Sequence, residues 1–134
     1  MFDRINHVAI AVTEIDEALA LYDERFGTRL LHRESLDDGT VEAAMLSAGS
    51  DRVELLSSRD PQSTVGRFLS KRGPGMHHVA YDVGDIDAAL ATLRERDVRL
   101  LDTVARPGFG GTRVAFVHPS SCFGVLTELV EQAA

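Results

Sequence analysis

Two histidines and two glutamates in this chain stand where a globular fold rarely leaves polar groups without a purpose. His7 lies in INHVAIAV and His78 in MHHVAYDV, each early in a short alternating apolar run. Glu54 lies in RVELL and Glu128 in VLTELV, inside apolar runs that read as strands. A carboxylate there is costly to bury unless it is paired or binds a cation. Two imidazoles and two carboxylates suit a divalent transition metal such as Co²⁺, Mn²⁺, Ni²⁺ or Zn²⁺. An octahedral ion with four protein ligands would keep two positions open for a substrate. Neighbouring strand residues point to opposite faces, so of the adjacent His77 and His78 only one can serve such a site.

An internal repeat chooses between them. The segment from Ile5 aligns without gaps on the segment from Met76, 71 residues later, and about half of the window matches. His7 pairs with His78, Val8 with Val79, Ile15 with Ile86, Asp16 with Asp87 and Leu19 with Leu90, whereas His77 falls opposite Asn6. The chain therefore reads as two copies of one module, and each copy supplies one His and one Glu. His77 is expected to face away from the site. His32 and His118 lack a twin and read as loop or strand-end residues.

Each module opens with a strand, Ile5–Val12 or Met76–Val83, followed by a helix. TEID suggests a capping box around Thr13, Ile15, Leu19, Tyr22 and Phe26 recur at helical spacing, and Gly27 suits the position after the end. Further strands are expected near 29–35, 40–47 and 52–57, and in the second copy near 98–104, 112–118 and 125–131. Turn signals separate them. The fold class is α+β: two βαβββ modules pairing into a curved mixed sheet with a metal-binding cleft. The boundaries are about 1–57 and 76–134 in a single domain of 1–134. The linker 58–75 holds a short helix capped by Ser63, with Val65, Phe68 and Leu69 inward and Gly73 after its end.

At 134 residues the chain suffices for one domain that needs no disulfide or structural metal. The lone Cys122 excludes an internal disulfide framework and fits a reducing, cytoplasmic setting. A net charge of −7 argues against nucleic acid as a partner. No apolar run has the length of a membrane span, and the N-terminus does not read as a signal peptide.

These residues and segments resemble the vicinal oxygen chelate superfamily (glyoxalase/bleomycin resistance/dioxygenase) over essentially the whole chain. Within it the chain is most similar to the methylmalonyl-CoA epimerase family. The segments that carry the likeness are INHVAIAV, GTVEAAML, STVGRFLSKRGPGMHHVAYDVGDIDAAL, DVRLLD and HPSSCFGVLTELV. The resemblance implies metal ligands at His7, Glu54, His78 and Glu128, with Co²⁺ first among the candidate ions, and an acid/base pair of glutamates at Glu42 and Glu128. By spacing alone Glu42 reads as a solvated strand carboxylate; its catalytic role is carried over. The family pattern EQG is DDG here, Asp37 to Gly39.

The implied reaction interconverts (2R)- and (2S)-methylmalonyl-CoA by 1,1-proton transfer through a metal-stabilised enolate. Lys71, Arg72 and the loop Arg106 to Gly111 are candidate contacts for the CoA portion. The implied assembly is a homodimer. The rivals are a glyoxalase I-like lactoylglutathione lyase and a metal-free small-molecule-binding protein of the same fold.

Overall fold

The computed structural model describes residues Met1–Ala134. They divide into two compact units. The first is His7–His77; the second joins Met1–Asn6 to His78–Ala134. The chain passes from one unit to the other inside strands β1 (Arg4–Ala11) and β5 (Gly75–Asp82), immediately before His7 and immediately before His78.

In the first unit, helix α1 (Ile15–Phe26) follows β1, and strands β2 (Arg29–Leu36), β3 (Val41–Ala48) and β4 (Asp51–Ser57) come next. Their order is β2-β3-β4-β1, antiparallel except that β1 runs parallel to β4. Ile15 and Ala18 of α1 pack on Ala44, Leu46 and Leu55, which places the helix on one face of the sheet. Gly27 closes α1 in the left-handed region at φ 63°. The helix begins differently from the expectation. Glu14, not Thr13, occupies the N-cap and makes no capping bond, and Asp16 is instead held by Arg33 of β2 at 2.6 Å. Helix α2 (Thr64–Arg72) follows the expected plan: Ser63 accepts from the Gly66 amide, Val65 is buried and Gly73 ends it at φ 72°. Gly66 is required there, because a Cβ would collide with the Asp60 carbonyl oxygen.

The second unit repeats the plan with α3 (Ile86–Glu95), β6 (Arg106–Pro107), β7 (Arg113–Val117) and β8 (Thr127–Glu131) in the order β5-β8-β7-β6. Ile86, Ala89 and Leu90 pack on Ala115, Val117 and Leu129. Asp85 caps α3 by accepting from the Ala88 amide. The strand expected over 98–104 is not formed. Leu100 makes one bridge to Val117, and β6 is only two residues long. The edge of β7 is satisfied differently: the Phe116 amide donates to the Asp102 carboxylate at 2.8 Å, and the Phe116 carbonyl accepts from the Leu101 amide at 2.9 Å. An aspartate side chain thus stands in for a backbone carbonyl, and the ladder stops.

Candidate functional site

Cross-strand partners share a face of a sheet, and residues alternate along a strand. In the first unit Ala9 of β1 lies opposite Glu54 of β4, and His7 is two residues before Ala9 on the same face. In the second unit Ala80 lies opposite Glu128, with His78 two residues before it. Both alanines are fully buried, and their small side chains leave room for the groups beside them. The His7 Nε2 stands 3.5 Å from Glu54 Oε1, and the His78 Nε2 stands 3.4 Å from Glu128 Oε1. All four residues are buried. The same local arrangement is built twice.

These separations bear on whether the residues fit an ion. They exceed the roughly 2.7–2.9 Å of a charge-assisted hydrogen bond. Two donors bound to one ion at roughly 2.1 Å lie about 3.0 Å apart at right angles and about 3.4 Å apart at the tetrahedral angle. Each His–Glu pair is spaced as two ligands of one cation are spaced. The donor set of His7, Glu54 and His78, two imidazoles and a carboxylate, is one that divalent metals take.

The two adjacent histidines have different surroundings. His77 meets the Phe68 ring of α2 edge-on, with centroids 5.0 Å apart. His78 meets the Phe116 ring edge-on at 5.2 Å, and Arg106 lies over the same ring at 5.5 Å. Phe116 is the cross-strand partner of Glu128. His118 caps a short 3-10 turn, its Nδ1 accepting from the Ser120 amide. His32 is not at a strand end: it lies in the middle of β2, with its Nε2 3.4 Å from Glu34 Oε1. Sequence reading passed over this pair because β2 shows no apolar alternation to fix its faces; only the pairing to β3 does.

Glu42 is placed on the opposite face of the sheet from Glu54. Glu42 opposes Ser57 and shares its face with Ala44, Leu46 and Leu55, the residues that pack on α1. Its carboxylate, half exposed, lies 3.5 Å from Arg33, which also holds Asp16. The Asp16 hydrogen bond, opposed by burial, holds the Arg33 guanidinium above its ordinary range. Glu42, Asp16, Arg33, Ser58 and Asp60 line an open cleft of about 650 Å³ on this helix side. His7 and Glu54 share one face, and Glu42 does not join them. The alternation Thr40, Glu42, Ala44, Leu46 was readable in the sequence; which of the two faces it marked was not.

Asp82 is a buried carboxylate that sequence reading did not single out. Burial alone would raise it, but hydrogen bonds from Arg4, Asn6 and Gln132 at 2.7–2.8 Å, with the Arg4 charge, hold it below the ordinary value of 3.8. These bonds bind the first residues of β1 to β5 within the second unit. The Asp37–Asp38–Gly39 turn places three consecutive residues at positive φ, 51°, 57° and 85°, a conformation that aspartate tolerates better than most residues. No helix is long and apolar enough to cross a membrane.

Paired βαβββ modules that each bury a His and a Glu on one sheet face define a class of metal-site folds. The profile of that class, the Glyoxalase/Bleomycin resistance protein/Dioxygenase superfamily, matches residues 6–116. The mitochondrial methylmalonyl-CoA epimerase of Bos taurus is 38% identical over 97% of this chain and 74% of its own. The crystal structure of methylmalonyl-CoA epimerase from Mycobacterium tuberculosis is 38% identical at a TM-score of 0.93, covering 99% of this chain and 90% of that one. A methylmalonyl-CoA epimerase in complex with methylmalonyl-CoA and NH₄⁺ is 37% identical at a TM-score of 0.93, covering 100% and 97%. The chain belongs to the methylmalonyl-CoA epimerase family of this superfamily.

Proposed function

We propose that this chain interconverts (2R)- and (2S)-methylmalonyl-CoA, acting as one domain over 1–134 with a divalent ion held by His7, Glu54, His78 and Glu128. The observation that carries the reading is the duplicated buried His–Glu pair, spaced in each copy as two ligands of one cation. Relatives whose substrate is methylmalonyl-CoA support the choice of thioester. When bound, the ion supplies Lewis acidity toward the oxygens of a malonyl thioester and lowers the energy of the enolate formed at C2. Co²⁺ is the first ion to try.

The chain's own groups do the rest. The C2 proton is acidified by two carbonyl groups, and the Glu128 carboxylate accepts it as general base. A proton must return to the opposite face of C2 from a second acid. Ala9, Ala80, Met45 and Phe116 give the His–Glu faces an apolar lining, which strengthens the charge interactions made there. Arg106, over the Phe116 ring, is suited to an anionic group of the acyl-CoA, and Lys71 and Arg72 of α2 to its phosphates.

The test is NMR of racemic methylmalonyl-CoA in D₂O, with the metal-free protein and after addition of Co²⁺. Deuterium entering C2 with inversion, dependent on the ion, is the expected result. Turnover of the methylglyoxal–glutathione adduct without C2 exchange would assign the chain to a glyoxalase I-like lyase instead. Tight small-molecule binding with sub-stoichiometric metal after reconstitution would assign it to a metal-free binding protein.

A further inference from the structure

The second unit carries a cation on the same sheet face as its own His–Glu pair. Phe116, Glu128 and Ala80 form one row across β7, β8 and β5. Arg106, Val114, Val130 and Asp82 form the next row on that face. Val114 and Val130 are buried and pack with Ala80, as residues of adjacent rows on one face do. The other charged member of the second row, Asp82, takes its bonds from Arg4, Asn6 and Gln132. Asp102 aims the Arg106 guanidinium. One of its carboxylate oxygens accepts from the Arg106 Nε at 3.3 Å, and the other accepts from the Phe116 amide at 2.8 Å. The guanidinium lies over the Phe116 ring, 5.5 Å from its centroid, and that ring meets His78 edge-on at 5.2 Å. One aromatic ring thus stands between Arg106 and the imidazole of the pair. A guanidinium has five N–H donors, so it can serve Asp102 and a ligand at once. The Arg106 side chain is 41% exposed, which lets a ligand reach it.

The fold does not demand a cation there. Val114 matches Ala43 in the 71-residue repeat, and the residue that opposes Ala43 on β2 is Glu34. The chain carries a net charge of −7, and Glu128 stands on the same face as Arg106, so an anionic ligand is repelled unless a local cation receives it. The apolar side chains of Val114, Val130 and Phe116 around Arg106 strengthen a charge pair formed there.

We propose that Arg106 is the specificity-determining residue for the acyl group and receives the free carboxylate of a malonyl-type thioester. The proposal rests on the epimerase reading above and names what that site selects. A guanidinium and a carboxylate match as two parallel N–H···O bonds, which a neutral group cannot reproduce. The phosphates of the CoA portion lie a full pantetheine arm from the acyl carbon, too far to meet a group one ring away from His78. Arg106 therefore separates thioesters that bear a second carboxyl from neutral acyl thioesters of the same shape.

The test is thioester binding to the Co²⁺-loaded wild type and Arg106→Gln by titration calorimetry, with metal content and thermal melts as controls. Isobutyryl-CoA is the neutral counterpart of methylmalonyl-CoA: a methyl group stands where the free carboxylate was. Arg106→Gln is expected to weaken methylmalonyl-CoA by about 10²–10³-fold and isobutyryl-CoA by no more than about twofold. In the C2 exchange assay the loss should fall on KM rather than kcat. Arg106→Lys keeps the charge without the fork and should fall between wild type and Arg106→Gln. Methylmalonyl-pantetheine, which lacks the nucleotide phosphates, should show the same dependence on Arg106. A merely structural role would weaken both CoA thioesters equally, and a role in holding phosphates would leave the pantetheine ester indifferent to the change. Either result, or unchanged binding of methylmalonyl-CoA to Arg106→Gln, would overturn the proposal while wild-type exchange stands. Absence of any C2 exchange in the wild-type protein would instead overturn the epimerase reading, and this proposal with it.

Discussion

The two copies of the module agree in one feature and differ in another. Both place a His two residues before a buried alanine and set a Glu across from that alanine at matching distances, 3.5 Å and 3.4 Å. Both also tie the second residue of the helix to the sheet through an aspartate, but with the charges rearranged. In the first unit Asp16 is held by Arg33 of β2, and Arg33 reaches Glu42 of β3. In the second, Asp87 is held by Arg113 of β7, and Arg113 reaches Glu131 of β8. Glu42 and Arg113 are matched positions of the repeat, yet opposite in sign. The duplication thus keeps the His–Glu geometry and lets the helix tie vary. The position of Glu42 belongs to the part that varies.

The most damaging way to break this comparison is to remove one imidazole. His7→Ala and His78→Ala are each expected to reduce divalent-metal affinity by more than about 100-fold, beyond the effect of losing a supporting group, and to abolish C2 exchange. His77→Ala should keep the metal while losing the edge contact with Phe68. Metal content by mass spectrometry and titration calorimetry read both arms. Metal lost in His77→Ala and kept in His78→Ala would mean the strand register of β5 is wrong by one.

Asp82 sharpens the comparison from the other side, because its match in the first copy is the apolar Ala11. Asp82→Ala removes the acceptor shared by Asn6, Gln132 and the largely exposed Arg4. It should destabilise the fold by about 1–3 kcal/mol, discounted for the solvent around Arg4. The folded-state pKa lies below the ordinary 3.8. The contribution is therefore full above that value and is lost as pH falls through the lower folded-state pKa. Asp82→Asn should lower stability near neutrality and converge with the wild type as pH falls, which flattens the acid limb of the stability–pH curve. Urea melts from pH 3 upward would show it.

How much of this was legible beforehand follows from which forces each residue answers to. His7, His78, Glu54 and Glu128 could be read because polar groups inside apolar runs stand out and the repeat supplied their pairing. The α2 helix could be read because its cap and its closing glycine are local signals. The face of Glu42 could not: period-2 alternation says which residues share a face, not which face covers the helix. That choice is made by Ala44, Leu46 and Leu55 packing on Ile15 and Ala18. His32 and Glu34 were hidden for the same reason, and the missing strand over 98–104 reflects the Asp102 side chain bonding the Phe116 amide, a long-range contact with no local signature.

A smaller effect is expected at Glu54. Two glutamates make the ligand set formally neutral with a divalent ion, whereas a glutamine in one place would leave a net positive charge. Glu54→Gln should retain metal and activity, with Lewis acidity toward an anionic substrate held or raised. Protein that is metal-free or inactive after this change would mean that both carboxylates are required, and that the two His–Glu pairs are equivalent in charge as well as in geometry.

The smallest effect separates the shared feature from the variable one. Glu42→Gln removes a half-exposed carboxylate 3.5 Å from Arg33, and surface pairs of this kind contribute about 0–1 kcal/mol. Asp16 continues to hold Arg33 at 2.6 Å, so the helix tie survives. Stability should move within that range and metal content should not move; C2 exchange is the readout that tests the catalytic role the resemblance implies for Glu42. Arg113→Gln is the matched change in the other copy, and it is the more disruptive of the two, because Arg113 contacts both Asp87 and Glu131 directly. Thermal melts of the two variants side by side would read the difference. If Glu42→Gln were the more damaging, and damaging to exchange rather than to folding, Glu42 would have to reach the chemistry by a movement of β3, and the division between a shared His–Glu face and a variable helix face would fail at that strand.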